Sequence, residues 1–178
     1  NVMIVYSIML LVIFILLFYN VNRFESNIFN IKYIYLMYIE GLFYGTCLVF
    51  MLNGNIFSHI FDLNILDSYL LSFYFCIGAG IWEEILFRFI LLNFFIIIFK
   101  YLVNSTSYIY IYSVILSAFI FSSFHYIGSM ADIFQYNTFI IRFIGGIFLG
   151  GIYIFRGLGI SVVTHFIYDF ILVTFPYL

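Results

Sequence analysis

Three short stretches carry the residue types and spacings that could do chemistry. Residues 81–90 read IWEEILFRFI, residues 121–125 read FSSFH and residues 165–169 read HFIYD. On a helix, Glu84 and Arg88 share a face with the acid N-terminal, the favourable order for an ion pair. Glu83 is turned about 100° from Glu84, so Arg88 is expected to neutralise Glu84 while Glu83 points elsewhere. Phe121 and His125 also share a face, and so do His165 and Asp169. A carboxylate one turn from an imidazole can orient it, raise its basicity or share a ligand with it. Each stretch has a plain alternative: an ion-pair cluster between helices, an interface histidine, a satisfied buried pair. If the three converge, they enclose an inventory suited to activating water. A glutamate or histidine would take the proton as general base. The other imidazole, with a protonated Asp169, would donate to a developing oxyanion. Alternatively, Glu83, His125 and His165 would bind a divalent metal such as zinc and leave one position open for water.

The elements that must position these residues are membrane helices. The 178-residue chain is 66% hydrophobic and only 8% charged, with a mean hydropathy of +1.20. A soluble domain carries about a quarter charged residues, so this chain cannot cover a watery surface. The expected fold is all-α: a polytopic membrane helix bundle with about six transmembrane helices, forming a single integral membrane domain over residues 1–178. A span needs about 20 apolar residues, which gives candidates at 2–20, 33–52, 68–100, 108–126, 137–155 and 159–176. The first lacks a basic leader and a small-residue cleavage site, so it reads as a span rather than a signal peptide. The third is long enough to tilt, to break near Gly78-Ala79-Gly80, or to run past the bilayer. The small residues of GGIFLGG at 145–151 would let the fifth helix approach a neighbour closely. Cys47 and Cys76 lie in apolar segments and read as small buried residues. A net charge of −2 leaves no basic patch for a nucleic acid.

Arg23 and Lys32, Lys100, and Arg156 mark the first, third and fifth loops as cytoplasmic, while the second and fourth carry Asp62, Asp67 and Asp132 without a basic residue. Both termini are then outside. Inside the spans remain Glu40, Glu83, Glu84, Arg88, His125, Arg142, His165 and Asp169. Each costs at least about 2.5–3.5 kcal/mol near the bilayer centre, so a functional reading is the default. Glu40 and Arg142 would pair with each other or flank the cavity. His125 falls near the outer end of its helix, whereas His165 lies about 9 Å in from the cytoplasmic end of its own. For the two to meet, the 126–136 loop must dip inward or the fourth helix must tilt.

In order and spacing the stretches resemble a known family. EEILFR resembles the EExxxR motif of the CAAX-protease and bacteriocin-processing (CPBP) intramembrane endopeptidases, the type II CAAX prenyl endopeptidase or ABI family. FSSFH resembles its FxxxH motif and HFIYD its HxxxN/D motif. The resemblance covers about residues 68–172. It implies an intramembrane endopeptidase with Glu83 activating water, aided by His125, and with His165 and Asp169 as oxyanion-side or ligand residues. Glu84, Arg88 and Phe121 would support them. It leaves metal-dependent and glutamate-only activation both open. The family often has Asn at the last position. An ionised Asp169 would repel an oxyanion, so this substitution requires a protonated side chain or favours a metal. The expected partners are a peptide or membrane-associated protein substrate and the lipid bilayer, and the expected location is the cytoplasmic membrane of a bacterium.

Other intramembrane protease chemistries fit poorly: HExxH, Gly-x-Gly-Asp and Gly-x-Ser-Gly are all absent. Two non-enzyme readings stand beside the hydrolase. One is a small proton-coupled carrier, weakened by the lack of an internal repeat. The other is a catalytically silent partner of the bacteriocin-immunity kind.

Overall fold

The computed structural model describes residues 31–52, 66–128 and 131–174, and every regular element among them is helical. In hydrocarbon a backbone must satisfy its own hydrogen bonds, and a helix does so within one segment. The elements are α1 (Ile31–Leu52), α2 (Leu66–Glu83), a π-helical segment (Glu84–Leu92), α3 (Asn93–Leu102), α4 (Thr106–Phe124), α5 (Tyr136–Arg156) and α6 (Leu158–Thr174). Four stretches are long and apolar enough to cross a membrane: Ile31–Leu52, Phe73–Leu102, Thr106–Phe124 and Tyr136–Arg156. The last helix is apolar but shorter. The chain is therefore a polytopic helical membrane protein. The expected span at 2–20, and the loop charges Arg23 and Asp62, lie outside the described residues. By its contacts the chain divides at residue 36, within α1, and the helices that build the site belong to the unit from Met37 onward.

The third apolar segment does not break at Gly78-Ala79-Gly80. α2, the π segment and α3 follow one another without a gap from Leu66 to Leu102. Gly80 instead marks a close approach, since a Cβ there would lie 3.2 Å from the Phe166 backbone nitrogen. Phe73 extends that α2–α6 contact edge-on against Phe166 and Phe170, at 5.2 and 5.7 Å between centroids. The irregularity falls later, where the hydrogen bonding widens to i→i+5 at Glu84. Such insertions often occur at functional sites. Ser117 of α4 braces the widened turn by donating to the Phe87 carbonyl at 2.7 Å.

α4 and α5 pack through the small residues of GGIFLGG. A Cβ on Gly146 would meet Ala118 at 3.0 Å and one on Gly150 would meet Val114 at 3.1 Å. Leu92, Ile96, Ile109 and Val114 form a buried core beside this seam. α5 turns directly into α6 at Gly157, whose φ of 89° lies in the region that disfavours other residues. Both thiols are free; Cys76 is buried as expected, but Cys47 is only half-buried.

α1 meets α6 through Gly41 and Gly45, a GxxxG spacing that lets two helix backbones touch. A Cβ on Gly45 would sit 2.7 Å from Ile167 and 3.0 Å from the Thr164 carbonyl. Alanine there is thus overpacking against backbone. Gly45→Ala is expected to cost about 1–3 kcal/mol, read as a lower melting temperature in detergent. Gly78→Ala, with open space around its Cβ, is the control and should melt no lower than the parent. Equal melting of the two variants would show that this contact does not hold α1 in place.

Candidate active site

The three stretches converge on one cluster. Glu83 ends α2 and Glu84 opens the π segment. The two carboxylates diverge there, as their offset predicts. Glu84 turns into the bundle, with its side chain 0% exposed, and its Oε1 lies 3.0 Å from Arg88 Nη1. The same oxygen lies 2.8 Å from Nδ1 of His165. Ser161 of α6 donates its hydroxyl to the other oxygen, Oε2. A carboxylate this deep must be paired and hydrogen-bonded, and Glu84 has partners on both oxygens. Arg88, 1% exposed, also lies over the Phe121 ring at 4.3 Å, a cation–π contact.

Glu83 points to the open side of the cluster. Its Oε2 lies 3.9 Å from His125 Nε2 and 3.7 Å from His165 Nε2. Asp169 Oδ2 lies 3.4 Å from the same His165 nitrogen. Exposure separates the two layers. Glu83 and His125 are 24% exposed and Asp169 is 27%, whereas His165 is 5%. The outer layer can be reached from outside, while the Glu84–Arg88 layer behind it is sealed.

Both imidazoles have one nitrogen fixed. His125 Nδ1 lies 2.9 Å from the Phe121 carbonyl. A carbonyl only accepts, so Nδ1 carries the proton and Nε2 faces Glu83 as a lone pair in the neutral ring. The four-residue spacing of FSSFH is what makes this bond, since it folds the ring back one turn along α4. Phe121 also stacks edge-on against both histidines, with centroids 5.0 and 5.9 Å away, so one ring walls the whole cluster. The two histidines, set apart by their helix positions, nevertheless meet at Glu83 Oε2, and Asp132 N–H reaches the His125 carbonyl at 3.0 Å. Glu84 Oε1 accepts from Nδ1 of His165, which likewise leaves its Nε2 facing Glu83 and Asp169.

The donor types suit zinc. Among the described residues no three of His, Cys, Asp and Glu form a preformed metal site, while Glu83 Oε2 lies within 3.9 Å of Nε2 of both His125 and His165.

The expected pairing of Glu40 with Arg142 is corrected. Glu40 and Arg142 do not meet. Glu40 forms a two-pronged ion pair with Arg156 at the α5–α6 corner, its Oε2 2.6 Å from Nη2 and its Oε1 in contact with Nε. Arg142 binds Asp132 at 2.5 Å and lies over Tyr126, holding the segment that follows His125. Arg156, counted among loop charges, is the residue that completes Glu40. Ser161 also went unnoticed in the sequence; its signal was a polar residue one turn before His165 on the same face.

A family model described as type II CAAX prenyl endopeptidase Rce1-like matches residues 65–171, which include all three stretches and Ser161. Neither a curated protein nor a solved structure matches the chain. The match spans more than half of the sequence and coincides with the helices that build the cluster, so the chain belongs to the type II CAAX prenyl endopeptidase Rce1-like family.

Proposed function

We propose that this protein is an intramembrane endopeptidase in which Glu83 activates water for attack on a peptide bond. One observation carries the reading. The partly exposed Glu83 carboxylate stands between the Nε2 atoms of two histidines from separate helices, each with its Nδ1 tied back to the protein. A packing cluster has no need to aim the imidazole nitrogens of two helices at an accessible acid.

In this reading a water bridges Glu83 Oε2 and His125 Nε2, across a gap of a size that water commonly fills. Glu83 takes one proton as the water oxygen bonds to the substrate carbonyl carbon. His165, protonated on Nε2 as well, offers that N–H to Asp169 in the resting site and to the developing oxyanion during attack. Asp169 thereby holds the second proton of the imidazolium in place rather than facing the oxyanion itself. Collapse of the tetrahedral species breaks the C–N bond, and protonated Glu83 returns its proton to the leaving amine. Glu84 and Arg88 hold His165 from behind. The substrate is a peptide or the end of a membrane-associated protein, and the setting is a bacterial cytoplasmic membrane.

The test is cleavage of quenched peptides by the purified protein in detergent, with and without a strong chelator and beside His125→Phe. Cleavage that survives chelation and falls about 10²-fold or more in His125→Phe supports the side-chain mechanism. Loss on chelation with recovery on adding zinc would move the water onto a metal held by Glu83, His125 and His165. A folded wild type that cleaves nothing sinks the hydrolase reading in favour of a carrier or a silent partner.

A further inference from the structure

We propose that Ser161 is a positioning residue for the reaction, acting on His165 through Glu84. The proposal rests on the hydrolase reading, in which His165 meets the reacting group. Ser161 lies one turn before His165 on α6 and is fully buried. Serines inside helices commonly bond back to the carbonyl four residues earlier, and Ser113 and Ser123 do so here, at 2.7 and 2.8 Å. Ser161 instead turns toward Glu84 Oε2 and also approaches the Leu149 carbonyl at 3.2 Å. A hydroxyl has one proton, and an ionised carboxylate is the stronger acceptor, so the proton goes to Glu84.

The division of Glu84 makes this bond consequential. Arg88 and His165 both meet Oε1, while Ser161 is the hydrogen-bond donor on Oε2 among the described residues. The last torsion of a glutamate side chain is broad and roughly two-fold. A bond on Oε2 therefore narrows the swing that Arg88 and His165, both on Oε1, leave to the carboxylate. Ser161 pins the second oxygen, which holds the first one on the His165 Nδ1–H. That in turn fixes the orientation of the ring and the aim of Nε2 at Glu83 and Asp169. Ser161 touches neither substrate nor water, and its effect is transmitted across two hydrogen bonds.

The experiment compares wild type and Ser161→Ala for peptide turnover in detergent, and reads the Nδ1–H signal of His165 by NMR on protein with 15N-labelled histidine. The expected result is a fall in kcat of about 10- to 100-fold, the range for losing the partner that orients a ligating imidazole. KM should hold. The His165 Nδ1–H signal should broaden or vanish while that of His125 persists. If Ser161→Ala does not fold, Ser161→Cys, close in volume and a weaker donor, is measured the same way and should show a smaller loss of the same kind. A cleaving wild type whose kcat and His165 signal are unchanged by either variant overturns Ser161 alone. A lower melting temperature with kcat per folded molecule unchanged overturns it too, because the role is then structural. A wild type that cleaves nothing defeats the hydrolase reading, and a positioning role for Ser161 falls with it.

Discussion

Replacing Glu83 by glutamine is expected to lower peptide cleavage by about 10²–10⁴-fold, the usual contribution of a positioned general base, with little change in melting temperature. The amide keeps the size of the side chain and can still hydrogen-bond, but it cannot take a proton from water. Stability should hold because Glu83 is 24% exposed, and its contacts at 3.7 and 3.9 Å are too long to be tight ion pairs. Removing this charge therefore strands no buried partner. The same change at Glu84 would disturb folding and catalysis together, which makes it a poor probe of either. Turnover and thermal unfolding measured on one preparation give both quantities. A Glu83→Gln protein with parental turnover would remove Glu83 from the chemistry. Glu83→Asp separates the remaining rival, since a proton relay in a carrier would partly tolerate a shortened acid and would move protons across liposomes.

The parts of the site legible in the sequence are those set by helical spacing. Glu84 with Arg88, Phe121 with His125 and His165 with Asp169 are each four residues apart, and a helix places such pairs on one face. The divergence of Glu83 from Glu84 follows from the same geometry. Cost requires ionisable groups in an apolar segment to find partners or water, but it does not say that the three faces meet. What spacing could not convey was contact between helices far apart in sequence. The pairing of Glu40 with Arg156 joins α1 to the α5–α6 corner, and both residues had other apparent roles, one as a cavity acid and one as a loop charge. Arg142 with Asp132, ten residues apart, joins a loop to the helix that follows it, and helical spacing does not cover that case either. Ser161 was overlooked because a serine in an apolar helix usually satisfies itself locally; only the position of Glu84 shows that it does not. GLFYG at 41–45 has a small-xxx-small pattern but sits outside the motif region. The π-helical start at Glu84 has no compositional signature, because the residues around it are ordinary helix formers.

Arg88→Met is expected to destabilise the folded protein by about 3–5 kcal/mol, because removing one member of a buried ion pair leaves the other charged without its partner. Arg88 is 1% exposed and Glu84 is 0% exposed, so water cannot compensate. Methionine fills much of the aliphatic volume and keeps contact with the Phe121 ring, which the guanidinium now covers at 4.3 Å. The loss then reports chiefly on charge. The decisive comparison is the double variant Arg88→Met with Glu84→Gln. If the arginine serves mainly to neutralise Glu84, removing both charges should recover part of the loss, and unfolding free energies of the two singles and the double close a cycle with a coupling of about 0.5–3 kcal/mol. The recovered stability should not recover turnover, because a neutral amide no longer anchors His165 Nδ1–H as an ionised carboxylate does. A double variant as unstable as Arg88→Met alone would mean that His165 and Ser161 already satisfy Glu84, and that Arg88 supports the bundle through Phe121 instead. Recovery of stability without recovery of cleavage would separate what the sealed layer does for the fold from what it does for the histidine in front of it.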